Sequence, residues 1–438
     1  LQRLITNSKK DFAMNQLNFA IVLLLLFMLS GCSPAFATPV NQSSVKETAT
    51  QASPLPAETR PLVSVTLTDS LQGTATADFI NNPIDLTPTA FESLTVNGFL
   101  VLENSKTDDN LLYNMESWKT VDIVDKNNEK MYIDFVSPNK KFILVGACPD
   151  RCNYSLQAGN KIIKANLPTE DDWVLAGWLD NERAVFLSQM KPGQPAQPQN
   201  QMIYNVFTGE KISLQLYLPD PQTVDLPGRF TDKLFVASVS PSLNRVLFSD
   251  QNNSLVLWNL DTQKEVVSLP FARFEGPFRE DGWSPDGKKF VTISPDKFFN
   301  DNRLPPARAA NELFMFDMDG NLTQLTHYNQ KLPFASIFNF RWSPDNRHLA
   351  FWLTTGDDVS GYKNLQQWLA VFDTSTLETK VYRSASRTIS SSIIWSPDGQ
   401  QLVVSDWEAN LMLVDLAHKT KSPISDTQDM RIWDWMAP

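Results

Sequence analysis

The chain has 438 residues, with 49 acidic against 38 basic side chains and a formal net charge of −11. That acidity repels phosphate backbones, which excludes general nucleic-acid binding, and offers no electrostatic attraction to anionic lipid. The length suits two or three ordinary domains, or a single repeat fold.

The first feature in chain order is an unbroken apolar run at residues 19–29, FAIVLLLLFML. It is too short to cross a bilayer core of ~30 Å as a helix, and has the length of a signal-peptide core. Arg3, Lys9 and Lys10 precede it, and Leu29-Ser30-Gly31-Cys32 follows at once. That tetrapeptide resembles the lipobox of bacterial lipoproteins. The resemblance implies cleavage before Cys32, with small residues at Ser30 and Gly31 admitting the peptidase and the Cys32 thiol taking up the lipid. Each buried CH₂ of the acyl chains contributes roughly 0.8 kcal/mol, so more than one chain gives a stable anchor. The expected location is the outer side of the cytoplasmic membrane, the periplasm or the outer membrane, with the lipid on Cys32 as the membrane contact.

Residues 33–62 are rich in Ser, Thr, Ala, Pro and Gln and lack a sustained apolar period. Such a segment cannot bury enough surface to offset its ordering entropy and reads as a spacer. Residues 63–90 are ambiguous: VSVTLTD alternates like a strand without an obvious partner. The expected organisation is a signal peptide at 1–31, a lipidated cysteine and tether at 32–90, and a folded domain at 91–438.

Two cysteines remain in that domain, in Ala-Cys148-Pro-Asp-Arg-Cys152. In an exported chain an even pair this close reads as a local disulfide, with two free thiols or half of a metal site as alternatives. No second pair or nearby histidine completes a metal site, and no cofactor is expected.

The rest of the chain repeats. The clearest units are Gly282-Trp283-Ser284-Pro285-Asp286-Gly287, Arg341-Trp342-Ser343-Pro344-Asp345-Asn346 and Ile394-Trp395-Ser396-Pro397-Asp398-Gly399. Weaker copies are Phe135-Val136-Ser137-Pro138-Asn139, Ser238-Val239-Ser240-Pro241 and Gly177-Trp178-Leu179-Asp180-Asn181. Each reads as a hairpin. Tryptophan closes a strand and offers an apolar face to the next blade, Ser-Pro ends the strand, and Asp-Gly completes the turn before a β-rich run. A second hairpin follows in each unit, as in Glu312-Leu-Phe-Met-Phe-Asp317, turn, Leu322-Thr-Gln-Leu-Thr326. Two hairpins give four strands, and spacings of roughly 40 to 60 residues fit one propeller blade.

These repeats resemble those of TolB-type β-propellers, relatives of the WD-repeat propellers, over residues 92–438. The resemblance implies an all-β propeller of four-stranded antiparallel blades. It is nearly silent on activity, since propellers host enzymes, scaffolds and receptors alike. TolB itself carries an α/β domain ahead of its propeller and is not lipidated, so its role does not transfer. Counting inner strands predicts seven blades, with six or eight as alternatives. The C-terminal run Met430-Arg-Ile-Trp-Asp-Trp-Met436 has no blade to follow it, and the strand-like runs from Gly98 onward have no leading strand. Joining them closes the ring and removes its open edges.

In such a ring the two hairpin turns of each blade open on one face. Here they are short, whereas the connections on the other face are long: residues 148–152, 189–201, 216–233, 295–311 and 354–366. Long loops on a rigid scaffold usually carry function. The expected partner-binding face is therefore the loop-rich one, with Phe298, Phe299, Arg303, Arg308, Tyr362 and Trp407 as candidate contacts, because aromatics and arginine dominate interface hot spots. Neutral insertions are the alternative.

The sequence has no nucleophile elbow, zinc-protease helix or P-loop. His327, His348 and His418 are scattered and read as ordinary structure, and Asp317-Met-Asp-Gly-Asn321 fits a hairpin turn better than a calcium loop. The leading expectation is a non-catalytic protein-binding or scaffold propeller at the cell envelope, recognising another envelope or extracellular protein. The alternatives are a propeller hydrolase or lyase on glycans or peptides, or a small-ligand sensor, with the site at the central channel.

Overall fold

The computed structural model describes residues 82–438, apart from 91–95, 108, 124–131, 148–152, 160, 164, 166, 168–172, 189–199, 217, 220–222, 226–232, 236, 252–253, 271–281, 296–309, 358–363, 384–391 and 406–409. The domain is a seven-bladed β-propeller of antiparallel blades.

From the innermost strand outward, blade 1 is Met430–Met436, Phe99–Asn104, Asn110–Asn114 and Lys119–Asp122. Blade 2 is Tyr132–Val136, Ile143–Ala147, Asn153–Ala158 and Lys161–Ile163, and blade 3 is Trp173–Trp178, Arg183–Ser188, Asn200–Asn205 and Lys211–Gln215. Blade 4 is Ala237–Val239, Arg245–Ser249, Ser254–Asn259 and Lys264–Pro270. Blade 5 is Lys289–Pro295, Asn311–Asp317 and Leu322–Gln324, its inner position held by a single bridge from Trp283 to Phe290. Blade 6 is Phe334–Trp342, His348–Gly356, Gln366–Asp373 and Glu378–Arg383, and blade 7 is Ile393–Trp395, Gln401–Ser405, Leu411–Asp415 and Thr420–Pro423.

The C-terminal strand closes the ring as expected. Met430–Met436 pairs antiparallel with Phe99–Asn104, Leu100 opposite Trp435 and Asn104 opposite Met430. Two elements were not anticipated. The connection between blades 3 and 4 carries a short hairpin, Thr223–Asp225 against Lys233–Phe235. Residues placed with the tether also join the sheet: Thr87–Pro88 runs parallel to Thr420–Pro423 on the outside of blade 7.

Between blades, apolar side chains of facing sheets interleave. The tryptophans correct one detail of the repeat reading, because each packs on the preceding blade rather than the next. Trp178 sits with Leu144 and Leu156 of blade 2, Trp342 with Val291 and Leu313 of blade 5, and Trp395 with Trp352 and Leu369 of blade 6. Side chains alternate across a strand, so the register of the inner hairpin fixes which neighbour the indole meets. Valines take the same place in blades 2 and 4, Val136 against Val101 and Leu112, and Val239 against Ile203 and Leu216.

Candidate functional site

The described residues frame one cavity at the axis, at the end where the Ser-Pro turns gather. It measures about 1120 Å³ with its open mouth included, and all seven blades contribute to its wall. The chemistry of that wall follows from the repeat.

In the turn of blade 5, the Ser284 hydroxyl donates to Asp286 Oδ1 at 2.6 Å and accepts from the Lys289 backbone N–H at 3.0 Å. Ser396 does the same with Asp398 (2.6 Å) and the Gln401 N–H (2.9 Å), and Ser343 with Asp345 and the His348 N–H (2.8 Å). These serines are buried, as are Ser137 and Ser240 at the equivalent positions. Local side-chain bonds of this kind replace ladder bonds where the proline has interrupted the strand. The fourth turn residue adopts a left-handed backbone, φ +66° at Gly287, +71° at Gly399 and +61° at Asn346. At Gly287 glycine is also needed for space, since a Cβ would lie 2.3 Å from Pro241 of the preceding blade.

The indole N–H groups are spent between blades. Trp178 donates to the Phe135 carbonyl (3.0 Å), Trp342 to the Gly282 carbonyl (3.1 Å) and Trp395 to the Arg341 carbonyl (3.1 Å). Each acceptor stands one residue before the tryptophan position of the preceding blade. Trp283 reaches the same place in blade 4 through the Ser238 hydroxyl, at 2.8 Å. What these side chains offer the cavity is therefore apolar ring surface beside Pro138, Pro241, Pro285 and Pro344. Charge enters through Arg341 and through a bidentate pair, Lys140 Nζ to both Asp434 oxygens at 2.8 Å, which ties blade 2 to blade 1. Lys140 and Asp434 are 294 positions apart and lie in weak or truncated copies of the repeat. Their pairing had no signal in the sequence.

The opposite face receives the other connections of every blade. Strands Ile143–Ala147, Arg183–Ser188, Lys289–Pro295, His348–Gly356 and Gln401–Ser405 all end there, so the expected long insertions leave and re-enter the ring on one side. One long connection on this side is described. It contains the short 3₁₀ turn Tyr328–Gln330 and hangs on a buried carboxylate. Glu312 accepts from the Thr326 hydroxyl (2.6 Å), the Asn329 backbone N–H (2.8 Å) and Asn329 Nδ2 (2.9 Å), and Asn329 Oδ1 in turn accepts the Ala335 N–H at 2.8 Å. Tyr328 packs beneath and meets the Thr379 hydroxyl at 2.7 Å, and burial pushes its phenol far above the usual range. Leu365, beside the blade 6 connection, is half exposed.

The candidate contacts Phe298, Phe299, Arg303, Arg308, Tyr362 and Trp407, together with Cys32, Cys148 and Cys152, lie outside the described residues. His348 stands between Asp345 (3.3 Å) and Asp373 (3.7 Å) in blade 6, and His418 beside Asp415 (3.1 Å) in a blade 7 turn. Asp317 Oδ1 accepts the Asp319 and Asn321 N–H groups of its own hairpin, at 3.0 and 2.8 Å, the turn role expected of it. Among the described residues no three His, Cys, Asp or Glu side chains are grouped to hold a metal ion.

No family model matches the chain, and no curated protein matches it. Solved structures similar to it include an oligogalacturonate lyase in complex with manganese, at 12% identity and TM-score 0.43, covering 75% of this chain and 85% of that one. An oligogalacturonate lyase from Vibrio parahaemolyticus aligns at 10% identity and TM-score 0.44, over the same shares. A β-propeller domain from Myceliophteria thermophila aligns at 10% identity and TM-score 0.36, covering 72% of this chain and 95% of that domain.

Proposed function

We propose that this propeller is a non-catalytic binding scaffold of the cell envelope, held to the membrane by lipid on Cys32, which recognises another envelope or extracellular protein through its loop-bearing face. The observation that carries the reading is the asymmetry of the ring. One face consists of short turns whose polar groups are spent on each other. The other receives the long connections, and the one described there is pinned by Glu312 and three hydrogen bonds. A rigid frame beneath varied loops limits the ordering cost of binding, which otherwise subtracts from affinity.

Two experiments test the two halves of the proposal. Labelling of growing cells with a fatty acid should mark the wild-type chain and not Cys32→Ala, and the variant should leave the membrane fraction. Labelling that survives in Cys32→Ala contradicts the anchor. Membrane pull-downs with the lipidated chain should enrich one partner, and that partner should be lost when Phe298, Arg303 and Tyr362 are changed to alanine. It should be retained when Lys288 and Gln400, on the short-turn face, are changed instead. The reverse pattern contradicts the choice of face.

A further inference from the structure

Residues 84–89 cross the rim between blades 6 and 7. Ile84 bridges Tyr382, its N–H donating to the Val381 carbonyl at 2.8 Å while its carbonyl accepts the Arg383 N–H at 2.9 Å. The chain then passes to blade 7. There the Thr87 N–H donates to the Lys419 carbonyl and the Thr89 N–H to the Lys421 carbonyl, both at 2.9 Å, and the Thr89 carbonyl accepts the Ser422 hydroxyl at 2.6 Å. Ile84 and Leu86 press into the apolar seam of Trp352, Tyr382, Ile393 and Trp395, which belongs to both blades. The outward-facing Thr87 and Pro88 are exposed. Pro88 has no N–H to donate, so the strap covers the blade 7 edge without offering a new one.

From Thr89 the chain runs on to Phe99–Asn104, the strand of blade 1 that receives the C-terminal strand. Two links therefore bridge the seam between blades 7 and 1. On the inside, Met430–Met436 follows covalently from blade 7 and pairs with Phe99–Asn104. On the outside, the segment leading into Phe99–Asn104 is bonded to the outer strands of blades 6 and 7. If the inner ladder opens, the outer strap still holds blade 1 to its neighbours.

We propose that Ile84–Thr89 is a second closure of the ring, acting in parallel with the C-terminal strand. It ties blades 6, 7 and 1 together at the rim.

Hydrogen exchange on the full-length chain tests the proposal. Thr87→Pro removes the N–H that Lys419 accepts, and should raise exchange about tenfold or more in Glu378–Arg383 and Thr420–Pro423. Exchange in Met430–Met436 and Phe99–Asn104 should rise as well, because the seam has lost one of two links. Combined with Trp435→Ala, which weakens the inner link, the rise at Phe99–Asn104 should exceed the product of the single changes, as expected for coupled sites. If the double variant does not fold, Ser422→Ala with Trp435→Ala makes the same comparison more gently. A response confined to the strap and Thr420–Pro423, or fold-changes that simply multiply, overturns the proposal.

Discussion

Blades 6 and 3 solve the same turn with different side chains. In blade 6 the buried Ser343 bonds Asp345 and the His348 N–H. In blade 3 a leucine, Leu179, stands in the serine's place, and the turn is one residue shorter. Asp180 takes over there: its Oδ1 accepts the Glu182 and Arg183 N–H groups at 3.0 and 2.8 Å, while its Oδ2 holds the Arg183 side chain. Arg183 then reaches the Pro241 carbonyl of blade 4 at 2.7 Å. The tryptophan does not change its role. Trp342 and Trp178 both pack on the preceding blade and both donate to a carbonyl at its inner position. The difference separates two functions that the repeat presents as one motif. The turn only has to satisfy its own backbone, and several polar residues can do that. The indole joins two blades, and blades 3 and 6 keep it although their turns differ.

The largest effect should come from breaking what the two blades share. Trp342→Ala and Trp178→Ala should each cost about 3–5 kcal/mol in denaturant unfolding, by cavity formation and a lost bond between blades. Val239→Ala, at the same position in a blade without the indole, should cost about 1.5 kcal/mol. A Trp178→Ala cost as small as that of Val239→Ala would mean that blade 3 is not joined as blade 6 is.

Smaller effects should distinguish the turns. Ser343→Ala leaves the partly buried His348 N–H without its acceptor and should cost about 1–3 kcal/mol. Asp180→Ala, at a half-exposed turn, should cost nearer 1 kcal/mol, as loss of an exposed cap does. Equal costs would blur the distinction between a buried serine turn and its aspartate substitute.

The smallest effect concerns pH and belongs to blade 6. Burial alone would raise the Asp345 carboxyl, but the Ser343 hydroxyl, the Arg347 backbone N–H and His348 outweigh it and bring it below the ordinary 3.8. Asp373 lies further below, held chiefly by the Arg347 guanidinium at 2.6 and 2.9 Å. Folding therefore favours both ionised forms. Their contribution is present in full above the unfolded aspartate value and is lost as the pH falls below it, through the lowered folded values. Urea melts between pH 5 and pH 2 should show stability declining with acid, and Arg347→Gln should flatten that decline. An unchanged acid limb in Arg347→Gln would mean that the pair adds nothing specific to blade 6.

The legibility of the chain follows the same division. Trp-Ser-Pro-Asp marks blades 5, 6 and 7 outright, because its Ser, Pro and Asp have local tasks within six positions and its Trp recurs at one fixed offset from them. Blades 2 and 4 were readable through Ser137-Pro138 and Ser240-Pro241 although valine replaces tryptophan. Blade 1 was recoverable only by pairing two orphan runs at opposite ends of the chain. What the sequence hid was non-local. Ile84 meets a partner nearly 300 residues away, with too short a strand to show a period. The Lys140–Asp434 pair joins two imperfect repeats. Glu312 reads as one more strand residue until the fold brings Thr326 and Asn329 around it. The loop-bearing face was legible as an arrangement of lengths, since strand order alone decides which connections share a side.

The indole protons test the central claim most directly, because each reports one seam of the ring. In ¹⁵N–¹H spectra recorded after transfer to D₂O, the Nε1–H signals of Trp178, Trp283, Trp342 and Trp395 should persist together. Trp433, more than half exposed at 54% and bonded only at the surface to Glu103, should vanish early. Loss of these four at the rate of Trp433 would contradict a ring in which each of these tryptophans fastens its blade to the one before.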